Sequence, residues 1–348
     1  MTPFTLTTLT DLQSLTVDTI IDVRASAEYE EDHLPDAINL PVLNNAQRAE
    51  VGTIYTQDSP FKARKIGGAL VAQNTARHLQ GPLAEKDGGW QPLVYCWRGG
   101  QRSGAFATIL DQVGWRVQLL NGGYQSYRRA VVKMLYENQL PHRIMLIEGG
   151  TGTAKTALLH RLAEQGAQII DLEGLADHRG SLFGAISTAQ PSQKMFETRV
   201  ARELITLDPD KITFVEAESS KVGNRIIPPS LWTLMMAAPH IHITAPLRAR
   251  SQFLCRAYAD LTQDKAALGN QLDKLRPYHS RERLAQWHAQ VQTNDWRSLA
   301  AGLIADHYDP RYARSKMLRG DAVYAFEVSD LEDQTLTQTA ESLLARFN

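Results

Sequence analysis

Cysteine is nearly missing from this chain. Cys96 and Cys255 are the two cysteines among 348 residues, they lie far apart, and they form no CxxC pair. A disulfide framework and a cysteine zinc site are therefore not expected, and any cysteine chemistry must rest on a single thiol. Long apolar runs are missing too. None approaches the roughly 18 residues of a membrane span, and the opening MTPFTLTTLTDL lacks the basic-then-apolar layout of a secretory leader. The expectation is a cytoplasmic protein with no membrane partner. Repeats and low-complexity segments are likewise absent, and net charge is only −1.

The composition is that of an ordinary globular protein, 43% hydrophobic and 22% charged, and the length suits two domains at roughly 150 residues each. Up to about residue 130 the apolar runs TIIDV, PLVYC and RVQLL alternate with helical patterns such as SGAFATILDQVGW. This predicts a small α/β domain over 1–133. YRRAVVKMLYENQLPH then reads as a connecting helix ended by Asn138 and Pro141, with a linker at 134–142. A second parallel α/β domain is expected over 143–348. RIMLIEGG is a strand entering a glycine loop, TAKTALLHRLAEQG is an amphipathic helix closed by Gly166, and AQIIDLEG, KITFVEAES and HIHITA are further strands. About 247–318 reads as helical, and DQTLTQTAESLLARFN as a closing helix.

The near-zero charge is unevenly shared. Residues 248–319 carry 13 Lys/Arg against 7 Asp/Glu, so this helical segment is a candidate surface for an anionic polymer. Arg276, Arg281, Arg283, Arg311, Arg314 and Lys316 are its candidate contacts. The plainer alternative is that these side chains solvate helix faces.

VYCWRGGQRSG sets Cys96 at a strand end, before a glycine loop and a helix pattern beginning near Ser103. Backbone N–H groups at a helix start, with Arg98 and Arg102 close by, favour the thiolate and predict a low-pKa nucleophile. Cys255, at helical spacing with Phe253 and Leu254, reads instead as a packing residue.

The residues around Cys96 carry a resemblance. IIDVRASAEYEEDHLPDAINLPV, with Asp22, Arg24, Glu28, His33, Pro35, Ala37 and Asn39 in order, resembles the opening of a rhodanese domain. VYCWRGGQRS is similar to the sulfur-transfer loop of that family, and LLNGGYQSYRR to its closing glycine segment. The resemblance implies that Cys96 carries sulfur or selenium. Many rhodaneses set the loop arginine five residues after the cysteine, whereas Arg102 stands six after Cys96. That is also a phosphatase spacing, and it suits a wider cradle for a tetrahedral oxyanion. Against a phosphatase, Tyr95 stands where a histidine is common, and no general-acid aspartate can be assigned.

EGGTGTAKTALL is close to a Walker A loop, with Ala154 where the pattern wants glycine. Strand, glycine loop, Lys-Thr and helix are the context a P-loop requires. Gly149, Gly150, Thr151, Gly152, Thr153, Lys155 and Thr156 would form the phosphate cradle, with Lys155 on the terminal phosphate and Thr156 as a Mg2+ ligand. Ala154 is tolerable there if its backbone is helical; a positive φ would mean a distorted loop. Glu216 and Glu218 end a strand where a second acidic motif belongs. Asp171, His178 and Arg179, near Glu173 in DLEGLADHRGSLFG, are further candidates for acid–base or Mg2+ roles. No guanine or adenine signature is visible, so phosphate binding is better supported than nucleotide hydrolysis.

CWRGGQRSG, GGTGTAKT, DLEGLADHRGSLFG, VEAESSKVGNRIIPP and HYDPRYARS together make the whole chain resemble the tRNA 2-selenouridine synthase family. The resemblance implies a rhodanese-like α/β domain, then a P-loop NTPase-like parallel α/β domain with a basic helical segment. It also implies a tRNA with 2-thiouridine at the wobble position as partner, selenophosphate and geranyl diphosphate as co-substrates, and no bound prosthetic group. An S-geranyl intermediate and a selenophosphate-supplying enzyme go with it. The two other readings are a P-loop kinase with an accessory rhodanese domain, in which Arg281 and Arg283 would be lid arginines, and a sulfur-transfer module that binds tRNA without modifying it.

Overall fold

Short apolar runs build a parallel sheet in each half of the chain, and the central runs PLVY and IMLIE are buried on both faces. In the computed structural model, residues 1–316 and 322–347 are described, with the backbone alone for 314–316. Arg314 and Lys316 therefore lie outside the described side chains. The contacts divide the chain into two compact units, Met1–Gln139 with Pro191–Thr206, and Leu140–Gln190 with Leu207–Asn348.

The first unit holds β1 (Thr2–Phe4), β2 (Thr19–Asp22), β3 (Ala37–Asn39), β4 (Pro92–Tyr95) and β5 (Gln118–Leu120), in the order β1-β5-β4-β2-β3 and all parallel. Its helices are α1 (Ser26–Glu31), α2 (Asn45–Gln57), α3 (Pro60–Gln80), α4 (Gln101–Val113) and α5 (Gly123–Val132). Asn44 and Gln47 form a reciprocal cap that starts α2, and Ser59 with Pro60 at the first position starts α3. Ile21, Val23, Val94, Phe106, Leu110 and Trp115 lie in its core. The π-helical turn Lys133–Glu137 follows α5 and ends before Asn138.

The second unit begins with β6 (Arg143–Glu148), α6 (Lys155–Glu164), β7 (Gln168–Ile170) and the single turn α7 (Leu172–Leu175). Next in the chain comes α8 (Gln193–Thr206), which packs with the first unit. Glu197 on α8 pairs with Arg128 and accepts from the Tyr136 hydroxyl, while Arg202 and Lys194 pair with Asp36 and Glu31. β8 (Ile212–Glu216), the hairpin β9 (Lys221–Val222) and β10 (Arg225–Ile226), α9 (Pro229–Ala237) and β11 (His240–Thr244) follow. The helical segment contains α10 (Leu247–Ala257), α11 (Lys265–Asp273), α12 (Arg281–Gln292), α13 (Trp296–Gly302) and α14 (Asp309–Lys316), and β12 (Tyr324–Glu327) and α15 (Asp333–Phe347) close the chain.

The large sheet of this unit runs β12-β11-β6-β8-β7, all parallel. From β6 the chain first goes to β7 and β8 on one side and then to β11 and β12 on the other. That reversal opens a crevice at the carboxyl end of β6, where open α/β sheets bind ligands. The glycine loop begins there. One core lies under the sheet, with Leu158, Leu162, Phe214, Ile243, Leu336 and Leu343. A separate helical core gathers Leu268, Leu272, Trp287, Val291 and Leu299.

Candidate functional site

Cys96 follows β4 directly and is buried, only 3% exposed. The Ser103 hydroxyl, from the first turn of α4, donates to its sulfur at 3.1 Å. The loop between them is clamped by the start of α5, where the Tyr124 N–H donates to the Cys96 carbonyl (2.8 Å) and the Gln125 N–H to that of Trp97 (3.0 Å). Gly123 must be glycine: its φ is +58°, and a Cβ would stand 2.3 Å from the Cys96 carbonyl oxygen and 2.5 Å from the Gly99 nitrogen. Below the loop, the buried Arg24 guanidinium pairs with Asp22 (2.6 Å), donates to the Asp32 carbonyl (2.6 Å) and lies 4.0 Å over the Tyr124 ring.

The two loop arginines behave differently. Arg98 is exposed. Arg102 is turned to Glu28, with Nη1 at 2.8 Å from Oε2, and Arg48 stands 3.8 Å from the same oxygen. Burial alone pushes the Glu28 carboxyl up, but the hydrogen bond and charge of Arg102, with Arg48 behind, outweigh it and hold the group below the usual range. Sequence spacing brings Arg102 close to the loop; it does not reveal a carboxylate partner 74 positions away.

In the second unit the glycine loop wraps a cavity of about 450 Å³. Thr151 to Thr156 line it together with Glu173, Arg179, Gly180, Ser181, Glu218 and Tyr258. Lys155 Nζ, at the first residue of α6, donates to the Gly149 carbonyl at 3.0 Å. Gly149 leaves no room for a side chain, since a Cβ would lie 2.5 Å from Thr153 Oγ1. Arg179 donates to Asp260 at 2.6 Å and lies 4.6 Å over the Tyr258 ring, while its buried Nη1 has no hydrogen-bond partner among the described residues. An unmatched guanidinium N–H beside a glycine loop and a lysine suits an anion.

Ala154 occupies the left-handed region, with φ 60° and ψ 32°, where it caps α6. Its methyl is buried and joins the core with Leu158 and Ile243. The backbone strain, about 1–2 kcal/mol, is offset by roughly 0.8 kcal/mol for the buried methyl. The expectation that a positive φ here means a distorted loop is thereby corrected: Ala154 itself takes the left-handed conformation a glycine would adopt.

Carboxylates face the lysine. Glu173 Oε2 accepts from the Thr156 hydroxyl at 2.9 Å, and a Cβ on Gly180 would meet both Glu173 (2.6 Å) and Glu218 (2.9 Å). Burial, then the charge of Glu218, raises the Glu173 carboxyl to about 7 despite Lys155 and Thr156. Glu216 lies beneath, fully buried, accepting from the Leu172 N–H at 3.2 Å; its Oε1 has no partner among the described residues. Burial and the neighbouring Asp171, Glu173 and Glu218 charges push it well above its ordinary value. Among the described residues no three His, Cys, Asp or Glu side chains form a metal cage. The fit is to Mg2+, which takes one or two carboxylates and completes its shell with phosphate and water: Thr156 and Glu173 would hold it, with Glu218 adjacent.

The remaining candidates fall elsewhere. Asp171 caps α7 and pairs with His160 at 2.7 Å. His178 Nδ1 accepts from the Gly180 N–H at 3.1 Å, and burial followed by the Arg179 charge lowers its pKa. It shapes the loop that carries Arg179 and does not line the cavity. Among the basic candidates, Arg276 pairs with Asp273 and Arg283 with Asp306. Arg281 is exposed on the first turn of α12, and Arg311 lies 4.3 Å over the Tyr278 ring.

Two features carry no local signal in sequence. Arg250 donates twice to the Thr151 carbonyl, at 2.8 and 2.9 Å, and is held by Asp309 at 2.6 and 2.9 Å, so an ion pair with a buried arginine and a partly exposed aspartate fastens the glycine loop. Beside the cavity of the glycine loop lies a narrow apolar slot. It shares Thr151, Ser181, Leu254, Tyr258 and Tyr308 with that cavity and is lined beyond them by Phe183, Leu268, Trp296, Leu299 and Leu303. Cys255 is part of this apolar wall, its thiol pushed up by burial.

Known sequences match both halves. Residues 5–130 match the rhodanese-like domain, and residues 142–286 match a domain described as the tRNA 2-selenouridine synthase AAA domain. A protein of Proteus mirabilis named tRNA 2-selenouridine synthase is 37% identical over 249 residues, covering 70% of this chain and 67% of that protein. The chain belongs to the tRNA 2-selenouridine synthase family. Members from Psychromonas ingrahamii and Bdellovibrio bacteriovorus bear the same name and are 32% and 35% identical, over 71% and 66% of this chain. The matched stretch spans 66% and 62% of their own lengths. These relatives do not favour the kinase or phosphatase alternatives.

Two outcomes are expected. Ala154→Gly shifts the chemical-denaturation midpoint little, by less than about 1 kcal/mol of stability, because strain relief and methyl loss offset each other; Ala154→Val costs more than about 2 kcal/mol, since a branched side chain is worse still at positive φ. A large loss in the glycine variant would contradict this. For Glu173, a carboxyl raised from 4.5 to about 7 favours the fold most below pH 4.5 and loses that advantage as pH climbs through 7. Glu173→Gln should therefore be more stable than the parent at pH 8, by about 1–3 kcal/mol, and level with it only below about pH 4 in metal-free melts.

Proposed function

We propose that the chain converts wobble 2-thiouridine of tRNA to 2-selenouridine in the cytoplasm, through an S-geranyl intermediate, with geranyl diphosphate and selenophosphate as co-substrates. The observation that carries the donor assignment is the junction of the phosphate cavity with the apolar slot across Thr151, Leu254 and Tyr258. A nucleotide would offer that wall a polar ribose and base. A prenyl diphosphate offers it hydrocarbon. The slot is narrow, about 90 Å³, against roughly 10–15 Å³ for one water, which suits a slender chain. Each buried methylene contributes about 0.8 kcal/mol, so the tail adds affinity and direction to a diphosphate held by Lys155, Arg179 and the loop amides.

With the diphosphate so held, the 2-thio sulfur attacks C1 of the geranyl group. The S–C bond forms, the C–O bond breaks, and diphosphate leaves into a cradle that stabilises its charge. Bound Mg2+ would supply further neutralisation of the leaving diphosphate. The uridine N3 proton departs, giving an S-geranyl thioether that is a better leaving group than the original thiocarbonyl. Selenium of selenophosphate is already at the selenide level. Water attacks phosphorus, the P–Se bond breaks, and phosphate and hydrogen selenide anion are released at the loop of Cys96, the residue that the family resemblance makes the selenium carrier. Selenide adds to C2 and expels geranylthiol, so no oxidant is consumed at any step.

The test is mass spectrometry of thiolated tRNA incubated with the protein, geranyl diphosphate and selenophosphate. Wild type should yield selenouridine. Lys155→Ala should lower geranylation at least about tenfold, as expected for losing a charge on the leaving group. Cys96→Ala should accumulate the geranylated nucleoside. A wild type that makes neither product overturns the function, and full-rate geranylation by Lys155→Ala overturns the phosphate assignment alone.

A further inference from the structure

We infer that the groove between α2, α3 and the first turn of α4 receives an unpaired nucleotide of a single-stranded RNA loop. This rests on the RNA-modifying reading above and assigns a site to it in the first unit. The groove is a cavity of about 530 Å³. Its rim carries the guanidiniums of Arg48, Arg64 and Arg102 and the ring of Tyr55, and its floor is apolar and low, with Val51, Gly67 and Val71. At Gly67 a Cβ would stand 3.3 Å from Val51, and at Gly68 it would meet nothing within 4 Å, so the two helices approach closely and leave open space beside them.

Two rings on this hairpin are exposed to a degree that folding does not require: Tyr55 at 55% and Phe61 at 72%. Single exposed apolar residues are ordinary. Two aromatic rings on a helical pair that carries five Lys/Arg against two Asp/Glu over residues 44–80 match the way single strands are held, with bases stacked on rings and the backbone followed by cations. Glu28, against Arg102 and Arg48, takes up part of the positive charge. Stacking must then carry more of the affinity than phosphate contact, which favours an unpaired base over duplex. Arginine suits this role, because its planar group both stacks and binds phosphate in a fork. The position is also informative. Gln101 and Arg102 belong to the helix turn that follows the Cys96 loop, so a nucleotide held here lies next to the segment that carries the thiol.

The experiment uses the full chain with a dye-labelled anticodon stem-loop RNA, a blunt duplex of the same stem, and inorganic phosphate as competitor, read by fluorescence anisotropy over a salt series. Tyr55→Ala and Arg64→Ala should each weaken stem-loop binding about five- to tenfold, consistent with one stacked base or one cation, while duplex binding and the thermal melt stay unchanged. Arg64→Ala should also reduce the salt slope by about one, and Tyr55→Phe should restore the affinity. Variants that bind the stem-loop like wild type overturn the inference, as does parallel loss of stem-loop and duplex binding, or displacement of the RNA by millimolar phosphate alone. If the variants bind normally while wild type still forms selenouridine, the groove assignment fails and the function stands. If the groove binds RNA while wild type modifies nothing, the reverse holds.

Discussion

Unpaired backbone N–H groups at the start of a helix, held at the carboxyl end of a buried parallel strand, are the constraint on which both sites depend. β4 delivers Cys96 to the first turn of α4, and β6 delivers Gly149 to that of α6. In each case the strand is locked between two neighbours, so the loop after it cannot drift. The amides of such a loop draw an anion without any side chain. What differs is what surrounds them: around Cys96 a closing glycine segment leaves the sulfur buried, and around Lys155 the walls part into a cavity.

Charge within that cavity is arranged against itself. Lys155 and Arg179 face Glu173 and Glu218, and Glu216 lies below with one oxygen unmatched. Such a cluster costs stability in isolation, since each buried carboxyl would rather be neutral. A leaving diphosphate and its counter-ion would resolve both signs at once, which is the behaviour expected of a site shaped for a charged ligand rather than for its own stability. The Arg250–Asp309 pair has the opposite character. It is matched, half-buried and aimed at the Thr151 carbonyl, and it ties the loop to α10 through Arg250.

Much of this was legible in the sequence because it is local. The strand RIMLIE, the glycine loop after it, the thiol loop in VYCWRGGQRSG and the acidic end of KITFVEAES each carry their own periodicity and turn chemistry. Ala154 could be posed as a question of backbone angle, and its φ of 60° answers it. Longer-range features were not legible. Arg102 turns to Glu28, α8 packs with the first unit, and β12 joins the sheet beside β11, all through partners far along the chain. The apolar slot is the clearest case. Phe183, Leu254, Leu268, Trp296 and Leu303 each read as ordinary helix or loop packing residues, and only the fold sets them around one space next to Thr151. The basic segment shows the same limit from the other side, since several of its arginines are already paired to carboxylates.

A crystal structure of the full chain with bound geranyl diphosphate would decide whether a phosphate loop has been fitted here to a hydrocarbon donor. The expected result is diphosphate against Lys155, Thr156 and Arg179, with the geranyl chain running past Leu254 and Tyr258 toward Leu268 and Trp296. A diphosphate bound in the loop with its tail directed into solvent, or a donor seated elsewhere, would contradict the assignment.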